Sequence, residues 1–126
     1  SHVIYNTVAE DVIFSGDDFY LISLFQNLID NAQKYSPDGS EINIYSESTP
    51  NKIIICISDQ GVGIAENEKL KIFDRFYRIE DEETRSSKGT GLGLFLVNQI
   101  VKMHGGKIIC KNNTPLGSIF ELHFKK

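Results

Sequence analysis

Asn27, Asn31 and Lys34 stand at i, i+4 and i+7 in the run Asn27-Leu28-Ile29-Asp30-Asn31-Ala32-Gln33-Lys34-Tyr35. That spacing puts all three on one stripe of a helix. Asparagine is mildly unfavourable inside helices, so two on one stripe beside an apolar face need a reason. Their amide oxygens can ligate a hard cation, and Mg²⁺ takes only one or two protein ligands beside water and phosphate oxygens. Lys34 adds a point charge suited to phosphate. The alternative is a solvated polar face with an incidental Asn pair.

A second set, Asp59-Gln60-Gly61-Val62-Gly63-Ile64, follows the apolar run 53–57. A carboxylate only accepts hydrogen bonds, so Asp59 would select the amine of adenine over the carbonyl of guanine. A mismatched buried pair costs roughly 1–3 kcal/mol. Glycines here permit a sharp turn and close approach to a flat ring, although an ordinary turn needs them too. A third set, Gly89-Thr90-Gly91-Leu92-Gly93-Leu94, opens a helix, where amide N–H groups and the helix dipole attract an anion. It is not a Walker loop, and Leu94 stands where Gly-x-Gly-x-x-Gly needs its third glycine. Dinucleotide folds and protein-kinase loops are disfavoured on that count, and a glycine-rich helix entry without ligand is the alternative. The fourth set is Phe73-Asp74-Arg75-Phe76-Tyr77-Arg78, followed by Glu80-Asp81-Glu82-Glu83 and Arg85-Ser86-Ser87-Lys88. Arg75, Arg78 and Lys88 can reach a phosphate from a connection of about fifteen residues, a length typical of lids. The acidic run reads as a solvated tip.

The elements that must position these sets follow from periodicity. Leu21, Leu24, Phe25, Leu28 and Ala32 predict a helix from Asp17 or Asp18 to about Tyr35, stopped by Ser36-Pro37-Asp38-Gly39. A short strand is expected at 12–14. Strands at 41–46 and 52–58 join through Ser48-Thr49-Pro50-Asn51. A short helix is expected over 66–73. A stronger one over 90–104, with Leu92, Phe95, Leu96, Ile100 and Met103 on one side, ends at Gly105-Gly106. His104 would cap that helix end, and His123 reads as a surface or strand residue. Strands at 107–111 and 118–124 close the chain. This order predicts an α+β fold, a two-layer sandwich whose mixed, mostly antiparallel sheet of about five strands packs on three helices.

The 126 residues suit a single domain over 1–126 that folds without disulfide or metal. A net charge of −4 with no dense Lys/Arg run argues against nucleic acid as a partner. Cys56 and Cys110 each sit in a β-branched run and read as buried strand residues in a reducing cytosol. No membrane contact is expected. Ser1-His2 reads as a tag remnant, so His2 carries no functional weight.

Together the four sets resemble the catalytic domains of sensor histidine kinases, in the superfamily that includes gyrase and related ATPases. The likeness runs from about Asp11 to Phe124. Asn27 through Tyr35 is similar to the N box, Asp59 through Gly63 to the first glycine box, Phe73 through Phe76 to the F box, and Gly89 through Leu94 to the second glycine box. Gly117-Ser118-Ile119-Phe120 resembles the terminal Gly-Thr-x-Phe element. Gln60 departs from the usual Asn, and Ala65 from the common Pro.

The resemblance implies a Bergerat-type fold that binds ATP and Mg²⁺. Asp59, helped by Ser118, would take the adenine amine. Asn31 would ligate Mg²⁺, and Asn27 would orient the phosphate end. Lys34, Arg75, Arg78 and Lys88 would contact phosphates, and Tyr35 would shape the pocket mouth. Gly61, Gly63 and Ile64 would border the nucleotide. Gly89, Thr90, Gly91, Leu92, Gly93 and Leu94 would hold the phosphate chain. Hydrolysing relatives carry Glu at the position of Asn27, and an Asn cannot act as a general base, which favours transfer to a protein acceptor.

Neither His104 nor His123 resembles the family's phosphoacceptor, so the histidine and the dimerisation segment that bears it would lie elsewhere. A response regulator would be the downstream partner in a cytoplasmic two-component pathway. This monomeric chain would not phosphorylate itself. Two rivals are a serine-directed anti-sigma-type kinase of the same superfamily and a degenerate module that senses ATP.

Overall fold

The computed structural model describes residues 2–8, 16–74 and 93–125. Asp17 accepts the Tyr20 N–H at 3.3 Å and so caps helix α1 (Asp18–Tyr35). At the other end the Ser36 hydroxyl donates to the Ala32 carbonyl at 2.5 Å, and Pro37 follows. Leu24, Leu28 and Ala32, spaced by four, are the residues α1 buries. Leu21 and Phe25, assigned to the same face from periodicity, are only half-buried. They line a surface groove with Asp18, Ile22, Gln26 and Ile29.

Strands β2 (Glu41–Ser48) and β3 (Lys52–Ser58) form the expected hairpin. Its turn is closed by Thr49, which donates its N–H to Lys52 O at 2.9 Å and accepts from Lys52 N at its hydroxyl at 3.0 Å. Helix α2 (Gly93–Met103) is followed by β4 (Lys107–Asn112) and β5 (Ser118–Lys125). Strand β1 (Val3–Asn6) pairs in parallel with β2, whereas the other pairs are antiparallel, giving the order β1-β2-β3-β5-β4. The fold is thus the expected α+β arrangement with a mixed five-stranded sheet. β1 itself was not foreseen, and the strand expected at 12–14 lies outside the described residues.

One face of the sheet meets the helices. Ile42 and Ile44 of β2, Ile53, Ile55 and Ile57 of β3, and Phe120, Leu122 and Phe124 of β5 form one core with Leu24 and Leu28 of α1 and with Val97, Ile100 and Val101 of α2. Each such side chain stabilises the fold by roughly 1.5–3 kcal/mol relative to exposure. The buried face of α2 overlaps the one read from periodicity only at Ile100: Val97 and Val101 join it in the core, whereas Leu96 and Met103 are 45% and 59% exposed. Apolar residues on more than one side of this helix offer alternative stripes, and packing against α1 and the sheet selects one.

The segment 66–73 is also not a single helix but two 3₁₀ turns, Glu66–Glu68 and Lys71–Phe73. Eight residues are too few to nucleate a stable α-helix without a buried stripe. Only Ile72 and Phe73, at its end, are buried here. The first turn is pinned to the sheet by Lys69, which pairs with Glu66 and donates to Asn112 at 2.7 Å.

Cys56 and Cys110 are buried and free, and burial pushes both thiols up to about 11. No helix among the described residues is long and apolar enough to cross a membrane.

Candidate functional site

β3 leaves the sheet at Ser58, and its next residue, Asp59, is a carboxylate only 5% exposed. Its N–H donates to Ser118 O at 2.9 Å, the last rung between β3 and β5. Its Oδ1 accepts from Gly61 N at 2.9 Å and from Ser118 N at 3.2 Å. Both bonds fall on Oδ1, so Oδ2 is the oxygen left for a ligand. Burial raises the carboxyl above its ordinary range, and the two backbone N–H groups pull it part of the way back. A buried acceptor held on one oxygen by fixed backbone donors can accept from an amine at the other.

The segments around Asp59 close on one another through glycines. A Cβ on Gly61 would overlap the carbonyl oxygen of Tyr35, so the loop after β3 rests directly against the last residue of α1. Gly117, with φ +110°, lies so close over Asp59 that a Cβ would overlap the Asp59 carbonyl. Gly63 faces the Gly117 carbonyl, 3.5 Å from where its own Cβ would stand. Tyr35, Asp59, Gly61, Gly63, Gly117 and Ser118 thus form one cluster. Ile64 packs against the core beside it.

A second cluster lies about 12 Å away along α1, the span from Tyr35 back to Asn27 at the usual rise per residue. Asn27 donates from Nδ2 to Ser23 O at 2.8 Å, which turns its Oδ1 toward the start of α2. That oxygen would lie 3.3 Å from a Cβ on Gly93, and Leu94 beside it packs on the core. Asn31 lies on the stripe between the two clusters, half-buried, and its side-chain amide has no hydrogen-bond partner among the described residues. Lys34 holds its ammonium 5.2 Å from the centre of the Tyr35 ring.

The helix stripe therefore meets Gly61 at one end and Gly93 at the other. Arg75, Arg78, Lys88, Gly89, Thr90, Gly91 and Leu92 lie outside the described residues.

The donor set suits a cation that arrives with its ligand. Among the described residues no three His, Cys, Asp or Glu side chains gather into a metal cage. The Asn31 amide instead offers a single hard oxygen, as a nucleotide-borne Mg²⁺ requires.

Three contributors escaped the sequence reading. Asn113 donates from Nδ2 to the Asp59 carbonyl at 2.8 Å. Gln60, noted only as a departure from the usual Asn, accepts the Glu41 N–H at 2.9 Å and ties the loop to the start of β2. His2 reaches the Ser36 carbonyl at 3.1 Å, at the end of α1. His104 does more than cap: its Nδ1 donates to Ile100 O at 2.8 Å while its Nε2 accepts the Asp17 N–H at 3.0 Å, joining the end of α2 to the beginning of α1. An Asn just before a Pro-Gly turn was the available signal for Asn113.

Residues 16–126 match the family model described as "Histidine kinase-, DNA gyrase B-, and HSP90-like ATPase". The chain belongs to this family. It is 42% identical over 106 residues to the sensor protein CiaH of Streptococcus pneumoniae, covering 84% of this chain and 24% of that protein. It is 38% identical over 114 residues to the sensor protein SrrB of Staphylococcus aureus, covering 90% of this chain and 20% of that protein. The chain thus spans about a quarter or less of these relatives. Among solved structures it resembles the mycobacterial sensor histidine kinase MprB, with a TM-score of 0.84, 30% identity, and coverage of 98% of this chain and 81% of that one. It also resembles the catalytic domain of histidine kinase ThkA, with a TM-score of 0.84, 29% identity, and coverage of 99% and 80%. This is an ATPase domain of the sensor histidine kinase type.

Proposed function

We propose that this domain binds ATP with Mg²⁺ and delivers the γ-phosphoryl group to a histidine on a separate dimerisation and phosphoacceptor segment, from which a response regulator is charged. The observation that carries the reading is the buried Asp59 carboxylate, fixed through Oδ1 by Gly61 and Ser118 and set beside the end of the Asn27/Asn31/Lys34 helix. Asp59 Oδ2 accepts from the adenine amine. Ser118, Gly61, Gly63, Ile64 and Tyr35 frame the base. The Asn31 oxygen is the protein ligand for Mg²⁺, which when bound neutralises charge on the phosphates.

At the far end of the stripe Asn27 orients the terminal phosphate against the entry to α2. An amide accepts no proton, so Asn27 does not activate water, and the phosphoryl group waits for an imidazole nitrogen. As the N–P bond forms, the bond to the bridging oxygen breaks and ADP leaves. Such a transfer depends on alignment and charge neutralisation. Lys34 supplies part of that charge, and on this reading Arg75, Arg78 and Lys88 supply the rest, with the backbone from Gly89 to Leu94 around the phosphate chain.

The test is radiolabel transfer from γ-labelled ATP. The domain alone should incorporate none, and addition of a cognate phosphoacceptor segment should give a phosphohistidine, labile to acid and stable to base. Label on a serine of an added protein would instead identify a serine-directed kinase. Binding without transfer to any acceptor would identify an ATP sensor.

A further inference from the structure

Asp59 sits where a ladder ends. Ser58 is the last residue of β3 paired with β5, opposite Ile119, and the Asp59 N–H makes the final rung to Ser118 O. The Asp59 carbonyl has no strand neighbour to donate to it. Its donor comes from a side chain 54 positions later, Asn113, at 2.8 Å. Asn113 is itself held at both ends of its amide plane. Its Oδ1 accepts the Thr114 N–H at 2.9 Å, and its backbone N–H closes the β4–β5 turn onto Gly117 O at 2.9 Å. Gly117 in turn lies against the same Asp59 carbonyl. The peptide carrying the recognition carboxylate is thus gripped by one turn from two sides.

We propose that Asn113 is the positioning residue for base recognition: its amide fixes the Asp59–Gln60 peptide and thereby aims Asp59 Oδ2 at the amine of a 6-aminopurine. The inference rests on the nucleotide-binding reading above. Asn113 does not touch the ligand. It acts through Asp59 and governs the choice between a base that donates at position 6 and one that accepts there.

The experiment is calorimetric titration of this chain with ATP and with inosine triphosphate, which carries a carbonyl in place of the amine, both with Mg²⁺. Asn113→Ala and Asn113→Asp are compared with the wild type and with Asp59→Ala. The Asp variant keeps the acceptor for Thr114 N–H and the side-chain volume but has no donor for the Asp59 carbonyl. Both Asn113 variants should bind ATP roughly three- to tenfold more weakly, the worth of one directing hydrogen bond, while inosine triphosphate binding changes less than twofold. The ATP preference therefore falls.

Equal weakening of both nucleotides would reduce Asn113 to a structural role and overturn the proposal. So would an unchanged ATP affinity in the Asp variant. Should Asn113→Ala fail to fold, the near-isosteric Asp variant decides alone. If Asp59→Ala erases the preference while the Asn113 variants keep it, only this inference falls. If Asp59→Ala leaves the preference intact, Asp59 is not the base-recognition group, and that part of the proposed function falls together with this inference; if neither nucleotide binds the wild type, the nucleotide-binding reading falls.

Discussion

The two ends of the α1 stripe are built from different materials. Near Tyr35, Asp59 is surrounded by backbone: two N–H groups on Oδ1, a carbonyl from Ser118, and glycines at 61 and 117 that let chain approach chain. Near Asn27, among the described residues, the site consists of side chains on a half-exposed helix face, with Asn27 tied back to Ser23 and Asn31 unbonded. Backbone donors fixed by the fold do not reorganise when a ligand arrives, so the proposed function puts discrimination at the first end. Side chains with open valences can adapt to a metal and a moving phosphoryl group, so the proposed function puts the chemistry at the second.

The sharpest way to break this comparison is Asp59→Ala. Removing a buried charged acceptor should lower ATP affinity by about ten- to a hundredfold with the fold retained, as read by calorimetry beside a thermal melt. Equal affinity in both proteins would take Asp59 out of the site. Next comes Gly117→Ala, which places a Cβ on the Asp59 carbonyl at a positive φ. It should destabilise the protein by about 1–3 kcal/mol in urea unfolding and weaken ATP in the same protein. A stable variant with normal binding would show that the close approach is dispensable.

At the other end, Asn31→Ala should leave metal-free nucleotide affinity within about twofold and abolish the further gain on adding Mg²⁺, comparable to one charge-assisted contact. Persistence of that gain would move the metal ligand elsewhere. The smallest effect is expected from Asp59→Asn on stability alone. The wild-type carboxyl is raised by burial, so its share of stability is complete below the ordinary value of 3.8 and is lost as pH climbs through the raised folded value. Asn carries no such loss and can still accept at Oδ1. The variant should therefore match wild type in acid and exceed it near neutrality, in denaturant titrations across that range. A gap that narrows with rising pH would contradict the burial argument.

The same division explains what could be read from the chain beforehand. The helix carrying Asn27, Asn31 and Lys34 was legible to its last residue, because a cap, a 3.6-residue period and a Pro-Gly stop agree. Asp59 was legible as a carboxylate after a buried strand. Its controllers were harder to read: Gly117 entered only through the resemblance, and the turn that marks Asn113 does not say which carbonyl its amide meets, which the β3–β5 register decides. Strand β1 escaped because its four residues are all exposed, without alternation to mark them. α2 was found, with Ile100 on its buried side as read, but Leu96 and Met103 were placed there in error, since apolar residues on more than one side blur the direction that periodicity gives.

The position of β5 has a consequence for how the molecule comes into being. The last strand of the chain lies between β3 and β4, and it carries Ser118, the partner of Asp59. While the ribosome is still making residues 113–125, the hairpin of β2 and β3 has an unpaired edge, β4 has no neighbour, and the Asp59 carboxylate has only one of its two donors. The middle of the sheet and the surroundings of Asp59 are therefore expected to form together, as β5 enters between β3 and β4.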